Sequence, residues 1–265
     1  MNWLDTIVAH KKRELIDAKK CIPLEFYQSQ IGDNCSKYSL LKTMKQQGGF
    51  HFIGEVKRAS PSRGIIKPDF DPLQQAKCYV KGGASAISVL TDSKFFMGKL
   101  DDLRVVREQV DLPLLRKDFI IEPYQIYESR YYLADIVLLI ARILSAKQIA
   151  QFCELAAELA LEVLLELATE NDVVKIPSNH SNLILAINNR DLANFEMDLN
   201  NSFRLKSLLP DDVPVISASG ISNADECVRL FQSGFAGALI GESLMRDPAP
   251  DRLLKKFRSA VANAG

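Results

Sequence analysis

The sequence predicts an α/β fold, a (β/α)8 TIM barrel preceded by an N-terminal helical extension, and three observations carry the prediction. Eight short β-favouring runs alternate with helix-like segments, the pattern of parallel strands joined by crossovers. The chain is 265 residues long and 47% hydrophobic, enough to bury one large core and suited to a closed barrel with helices outside. Five of the runs end in polar or charged residues on one side of the implied sheet, which gathers those residues around a single mouth. One domain spanning 1–265 is expected, with 1–50 as the extension.

Taken in order, residues 1–50 exceed what barrel closure needs and are most helical over 3–19. They suit either a lid over one end of the barrel or a solvated flank packed on the outer helices. Strands are expected near 52–57, 86–91, 113–116, 135–140, 161–166, 184–188, 214–218 and 236–240. Helices are expected near 71–82, 101–110, 123–133, 145–159, 170–177, 201–208, 222–233 and 250–262. Several helix starts are locally signed. Asp71 before Pro72 reads as an N-cap and first position, while Glu122-Pro123 and Asn223-Ala224-Asp225-Glu226 put acids in opening turns. An open doubly wound sheet is the competing topology, and it lacks the glycine fingerprint that should follow its first strand.

Lys plus Arg equals Asp plus Glu at 33 each, so bulk charge draws the chain neither to nucleic acid nor to an acidic membrane. Cys21, Cys35, Cys78, Cys153 and Cys227 show neither a close pair nor metal-ligand spacing, and read as reduced thiols filling space in a cytoplasmic protein. Lys11, Lys12 and Arg13 with no long apolar segment after them argue against a secretory signal. Glu158, Glu162 and Glu166 interrupt the apolar stretch 155–167 too often for a bilayer span.

The chemistry is expected at the strand exits. Lys117 ends the apolar run Pro113-Leu114-Leu115 beside Arg116 and Asp118, where its amine can act as a general acid. Desolvation and neighbouring cations would lower its pKa and a nearby carboxylate would oppose the drop, so the balance is left open. Glu166 lies across the mouth as a proton partner. Glu55 and Lys57 are two apart on a strand and share a face, followed by Arg58-Ala59-Ser60-Pro61-Ser62-Arg63-Gly64, a loop able to close over an anion. A surface ion pair is the plainer reading of Glu55 and Lys57. Ser219-Gly220-Ile221-Ser222 and Gly241-Glu242-Ser243 place glycines at the last two strand-to-helix turns, where barrels hold phosphate. Asn188, Asn189, Arg190 and Asp191 could orient hydroxyls or a carboxylate. Phe95 and Phe96, in the loop after the second strand, and Phe119 could wall an aromatic ring or simply pack. His10, His51 and His180 are scattered, and neither a nucleophile elbow nor a Walker loop is present. A metal-free acid/base enzyme acting on a phosphorylated compound follows, with a phosphate-binding barrel that lacks catalysis as the alternative.

Glu55-Val56-Lys57-Arg58-Ala59-Ser60-Pro61-Ser62-Arg63-Gly64, Leu115-Arg116-Lys117-Asp118-Phe119-Ile120, Ile187-Asn188-Asn189-Arg190-Asp191-Leu192 and Gly241-Glu242-Ser243-Leu244-Met245 together resemble the indole-3-glycerol phosphate synthase family across essentially the whole chain. The resemblance implies a cytoplasmic carbon-carbon lyase of tryptophan biosynthesis, needing neither metal nor organic cofactor. Its reaction converts 1-(2-carboxyphenylamino)-1-deoxyribulose 5-phosphate to indole-3-glycerol phosphate, carbon dioxide and water. The implied partner is that phosphorylated small molecule, with no nucleic acid or membrane, and the chain is expected to be a monomer able to associate with other enzymes of the pathway.

Carried over residue by residue, the resemblance makes Lys117 the acid on the substrate carbonyl and Lys57 the holder of the substrate carboxylate and acid for the departing hydroxyl. Glu55 and Glu166 become the acidic pair, with the division of proton transfers between them left open. Asn188, Arg190 and Ser219 orient substrate, Phe96 and Phe119 flank the ring, and Ser60, Gly220, Gly241 and the backbone at Glu242 surround the phosphate. Three positions depart from the family pattern. Ala218 stands where a glutamate usually precedes the serine, Ala168 where a polar residue is usual, and Lys99 where serine is usual. Ala218 is the feature that favours a catalytically weakened binding paralogue.

Overall fold

The computed structural model describes residues 3–32, 37–178, 181–190 and 196–265. Cys35, His180, Asp191 and Leu192 lie outside the described residues. Eight parallel strands close into a barrel: β1 (His51–Val56), β2 (Ala86–Leu90), β3 (Leu114–Lys117), β4 (Ile136–Ile140), β5 (Glu162–Leu167), β6 (Leu183–Asn188), β7 (Val215–Ala218) and β8 (Gly237–Ile240). Each pairs with its chain neighbours, and β1 closes the ring against β8 through His51↔Gly237 to Gly54↔Ile240.

Because side chains alternate along a strand, each strand splits its residues between two cores. Outward residues such as Val56, Ile87, Val89, Leu165 and Leu185 pack under the helices. Inward residues fill the barrel in layers, and Ile53, Leu115, Leu164 and Ile216 come from its alternate strands. A continuous apolar run with both faces covered is what such strands require, and all eight are buried throughout or save at one end.

Helices α1 (Trp3–Cys21), α2 (Leu24–Gln30) and α3 (Leu40–Gln47) form the extension, and α4 (Pro72–Gly82), α5 (Ser93–Phe96), α6 (Asp101–Arg107), α7 (Pro123–Tyr131), α8 (Ala146–Glu158), α9 (Glu170–Val173), α10 (Asn200–Lys206), α11 (Ala224–Gln232), α12 (Glu242–Arg246) and α13 (Pro250–Ala262) follow strands. The predicted caps work as expected at α4, where Asp71 accepts from the N–H of Leu73 and Gln74 at 2.9 and 3.0 Å with Pro72 first in the helix. Asn223 and Glu226 form a reciprocal capping box at α11.

Four sequence expectations change. The helix expected over 170–177 is one turn, because Pro177 disfavours helical backbone at Ile176 and the chain leaves the helix at Val173. Phe95 and Phe96 sit on the single turn α5, capped by Asp92, rather than in a loop. Segment 59–65 folds into a small hairpin, Ala59–Ser60 against Gly64–Ile65. The extension is neither lid nor flank alone. Leu4 and Ile7 of α1, with Leu40, Leu41 and Met44 of α3, all join the barrel's interior cluster.

The two helices reach it from opposite ends. At the C-terminal mouth, α1 sets Lys11 against Asp92 and Asp118. At the other end, Glu162, which opens β5, accepts from Ser39 and from the backbone of Leu40 and Leu41 at the start of α3.

Candidate active site

One layer of the barrel interior, nearest the C-terminal mouth, draws its four side chains from β1, β3, β5 and β7: Glu55, Lys117, Glu166 and Ala218. The register sets them level: Leu90↔Lys117, Ile140↔Glu166 and Asn188↔Ala218 place each beside the end of an even strand. Three of the four are ionisable, and a barrel core is an expensive place for unpaired charge. Each is therefore paired. Lys117 Nζ donates to Glu166 Oε2 at 3.0 Å, Asn188 Nδ2 donates to Glu166 Oε1 at 2.9 Å, and Lys57 donates to Glu55. Asn188 is fixed in turn by the backbone N–H of Arg190 on its Oδ1 at 2.9 Å.

The balance left open for Lys117 falls on the upward side. Burial pulls its pKa down, but the charges of Glu166 and Glu55 and the hydrogen bond to Glu166 outweigh it, so the amine is held above the usual lysine value of 10.5. The neighbouring cations anticipated from sequence do not prevail, because Arg116 faces away from the pocket into Asp118 and Glu128. Burial pushes the Glu55 carboxyl up, yet Lys57, Lys117 and Arg190 together bring it below its usual 4.5. The free site thus holds protonated Lys117 opposite an ionised Glu55.

Apolar surface walls one side. The Phe96 and Phe119 rings are 6.1 Å apart at 37°, and with Leu90, Leu138 and Ile140 they border the same cavity as Lys117 and Glu166. Asp92 accepts from the N–H of Phe95 at 2.7 Å and so orients the turn that carries Phe96, while Asp118 accepts from the N–H of Phe119 at 2.8 Å. Phe95 instead turns toward α1, edge-on to His10 at 5.6 Å.

The other side adjoins a cavity bordered by Ser219, Gly220, Gly241, Glu242 and Ser243. Ser219 and Gly220 both adopt left-handed backbone, at φ 70° and 78°, and Ser219 is held there as its carbonyl accepts from Asn189 Nδ2 at 2.9 Å. Successive amides in such a turn form an anion-binding concavity. Gly241 leaves room for the acid/base pair: a Cβ there would meet Glu55 Oε1 at 2.3 Å and Lys57 Nζ at 3.0 Å, so those side-chain ends would have to shift. The Glu242 carboxylate is drawn to Arg63 at 3.1 Å, Arg246 at 3.2 Å and Arg190 at 3.5 Å. Arg190 also donates to Ser62 at 3.1 Å, so the 58–66 segment is tied across the mouth.

Of the residues singled out from sequence, the structure brings Glu55, Lys57, Lys117, Glu166, Asn188, Arg190, Ser219, Phe96 and Phe119 to one cavity. Gly220, Gly241 and Glu242 line the adjoining one, which shares Glu55, Lys57, Arg190 and Ser219 with the first. Ser60 stands on the first cavity, apart from the two glycine turns. Asn189 lines neither cavity: it bonds to Ser217 and Ser202 outside the barrel wall and reaches the site only through the Ser219 carbonyl. Sequence reasoning missed Lys11, Thr91, Asp92 and Asp118. A buried lysine in an amphipathic helix leaves no periodic signal, although Asp118, directly after Lys117, was visible.

Residues 4–257 match the family model described as indole-3-glycerol phosphate synthase. Indole-3-glycerol phosphate synthase of Bacteroides thetaiotaomicron is 41% identical over 258 residues, covering 97% of this chain and 98% of the relative. That of Rhodopirellula baltica is 50% identical over 196 residues, 74% of this chain and 75% of its own. Among solved structures, 3-hexulose-6-phosphate synthase from Salmonella typhimurium superposes with a TM-score of 0.63 at 12% identity, over 82% of this chain and all of that one, a likeness of fold alone. The chain belongs to the indole-3-glycerol phosphate synthase family.

Proposed function

We propose that Lys117 is the general acid of the family's ring closure in this chain, with Glu166 as its partner and Lys57 with Glu55 as a second acid/base pair. The reaction is the conversion of 1-(2-carboxyphenylamino)-1-deoxyribulose 5-phosphate to indole-3-glycerol phosphate, carbon dioxide and water. The observation that carries the assignment is the Lys117–Glu166 contact of 3.0 Å, set between the aromatic wall and the glycine turns. An extended substrate with an aromatic end and a phosphate end would place its carbonyl between them.

The steps then balance. Lys117 gives a proton to the carbonyl oxygen as the ring carbon bearing the carboxylate attacks the carbonyl carbon, with the anilino nitrogen supplying density. The carboxylate leaves as carbon dioxide and returns its electron pair to the ring. Lys57 gives a proton to the new hydroxyl, which departs as water, and a carboxylate removes the C–H proton whose loss makes the second ring aromatic. Two protons are given and one is taken, as loss of a carboxylate as carbon dioxide requires.

Phe96 and Phe119 hold the ring by stacking and exclude water, Asn188 and Arg190 orient the substrate, and Ser219, Gly220, Gly241 and the Glu242 backbone receive the phosphate, with Ser60 closing from the hairpin. We assign the last proton to Glu55, because Glu166 already accepts from both Lys117 and Asn188. Single-turnover measurements on Glu55→Gln and Glu166→Gln test the division. Accumulation of a decarboxylated, still hydroxylated intermediate in Glu166→Gln, rather than in Glu55→Gln, would reverse it. A monomer is the expected working unit, and sedimentation velocity at micromolar protein tests it: one monomer-sized species supports it and a dimer-sized species overturns it.

A further inference from the structure

We propose that Lys11, on helix α1 of the extension, is a positioning residue that sets the spacing of the aromatic wall by bridging the two acidic residues that orient its rings. Its ammonium is 1% exposed and lies 3.1 Å from Asp92 Oδ2, 3.0 Å from Asp118 Oδ1 and 3.0 Å from Glu14 Oε1. Asp92 and Asp118 come from different loops, those after β2 and β3. Each also accepts the backbone N–H that fixes a wall segment, Phe95 N–H on Asp92 and Phe119 N–H on Asp118. Two such carboxylates, both buried, repel each other unless a cation stands between them.

The rest of the network is buried and hydrogen-bonded. Asp118 Oδ2 accepts from Thr91 at 2.7 Å and Arg116 at 3.0 Å, and Arg116 reaches Glu128 at 2.8 Å, which Tyr27 of α2 contacts at 3.2 Å. The Asp118 side is therefore anchored to the barrel through Arg116 and α7. On the Asp92 side the backbone is tied down, by Thr91 N–H to the Lys117 carbonyl at 3.1 Å and Gly98 N–H to the Asp92 carbonyl at 2.9 Å, but among the described residues the carboxylate Oδ2 accepts no hydrogen bond and faces Lys11 as a charge contact. Lys11 thus holds the Asp92 carboxylate, whose other oxygen fixes the turn carrying Phe96, to the strand end that carries Lys117 and Phe119. The ordering of the extension and the width of the ring slot become one property.

This rests on the reading of Phe96 and Phe119 as the ring wall. The experiment compares the native chain with Lys11→Met and Phe119→Ala by calorimetric titration with two ligands, indole-3-glycerol phosphate, which carries a ring, and inorganic phosphate, which does not. Docking of α1 is followed in the free proteins by the fluorescence of Trp3, the single tryptophan of the chain. Lys11→Met is expected to weaken the ring-bearing product about tenfold, with phosphate affinity unchanged and kcat lowered by misplacement of the ring. A lysine that served stability alone would lower the melting temperature and leave the ratio of the two affinities where it is, and that result overturns the proposal. Product affinity lost in Phe119→Ala but kept in Lys11→Met overturns the proposal and spares the ring wall; kept in both, it overturns the two together. Asp92→Asn retains an oxygen for the Phe95 N–H and removes the charge facing Lys11. It carries the same comparison if Lys11→Met does not fold.

Discussion

Lys117 shows how a single residue can be placed by sequence and yet have its chemistry decided by neighbours. Held above 10.5 by Glu166 and Glu55, it stays protonated across neutral pH. Its deprotonation limb in kcat/KM is therefore expected above pH 10.5, and Glu166→Gln, which removes one favouring charge, should draw that limb downward; a pH–rate series on both proteins reads it directly. Gly241 offers a second test at this scale. The atoms that a Cβ would meet are the ends of the Glu55 and Lys57 side chains, so Gly241→Ala should displace that pair without unfolding the strand. A loss of about tenfold or more in kcat/KM with little change in melting temperature is expected. Ala218 is the fourth member of the layer that holds Glu55, Lys117 and Glu166, 2% exposed beside Asn188 and Leu239. Ala218→Glu adds a proton acceptor and a negative charge together. We expect a higher kcat and a higher KM for the anionic substrate in steady-state kinetics; no gain in kcat would show that the three remaining groups suffice.

The elements divide by end of the barrel. At the N-terminal end, Glu162 accepts the free amides opening α3, a contact remote from the chemistry. Glu162→Ala should cost about 1–3 kcal/mol in urea unfolding, because two buried amides lose their acceptor, and leave kcat unchanged. At the mouth, Lys11 and Arg116 hold the Asp118 carboxyl well below its usual 3.8 despite burial. The sign follows: a depressed folded pKa contributes stability that is present above the unfolded value and lost as pH falls through the folded one. Asp118→Asn should therefore flatten the acid limb of a stability-against-pH series below about pH 4. The strands and long helices were legible because short continuous apolar runs and caps such as Asp71-Pro72 are local signals. Helix α9 was overcalled because a polar, four-residue turn and its continuation look alike until Pro177 is weighed. The hairpin at 59–65 was missed because two-residue strands carry no period.

For the whole molecule, the barrel turns chain order into geometry. Residues 55, 117 and 166 are far apart in sequence and level in one layer because each lies at the same height on alternate strands. That made the reacting residues readable: strand exits announce themselves as polar residues after apolar runs. What stayed hidden was the support, since Lys11, Asp92 and Asp118 meet only when α1 folds across the mouth. Asn189 marks the opposite failure, one residue beyond Asn188 and by alternation on the other face of the strand. The most direct measurement is formation of indole-3-glycerol phosphate, by its fluorescence, from 1-(2-carboxyphenylamino)-1-deoxyribulose 5-phosphate with the native chain and with Lys117→Ala. Product from the native chain and a loss of about 10²–10⁴-fold in the variant is the predicted result. Substrate bound by both proteins with equal or no turnover would contradict Lys117 as the general acid.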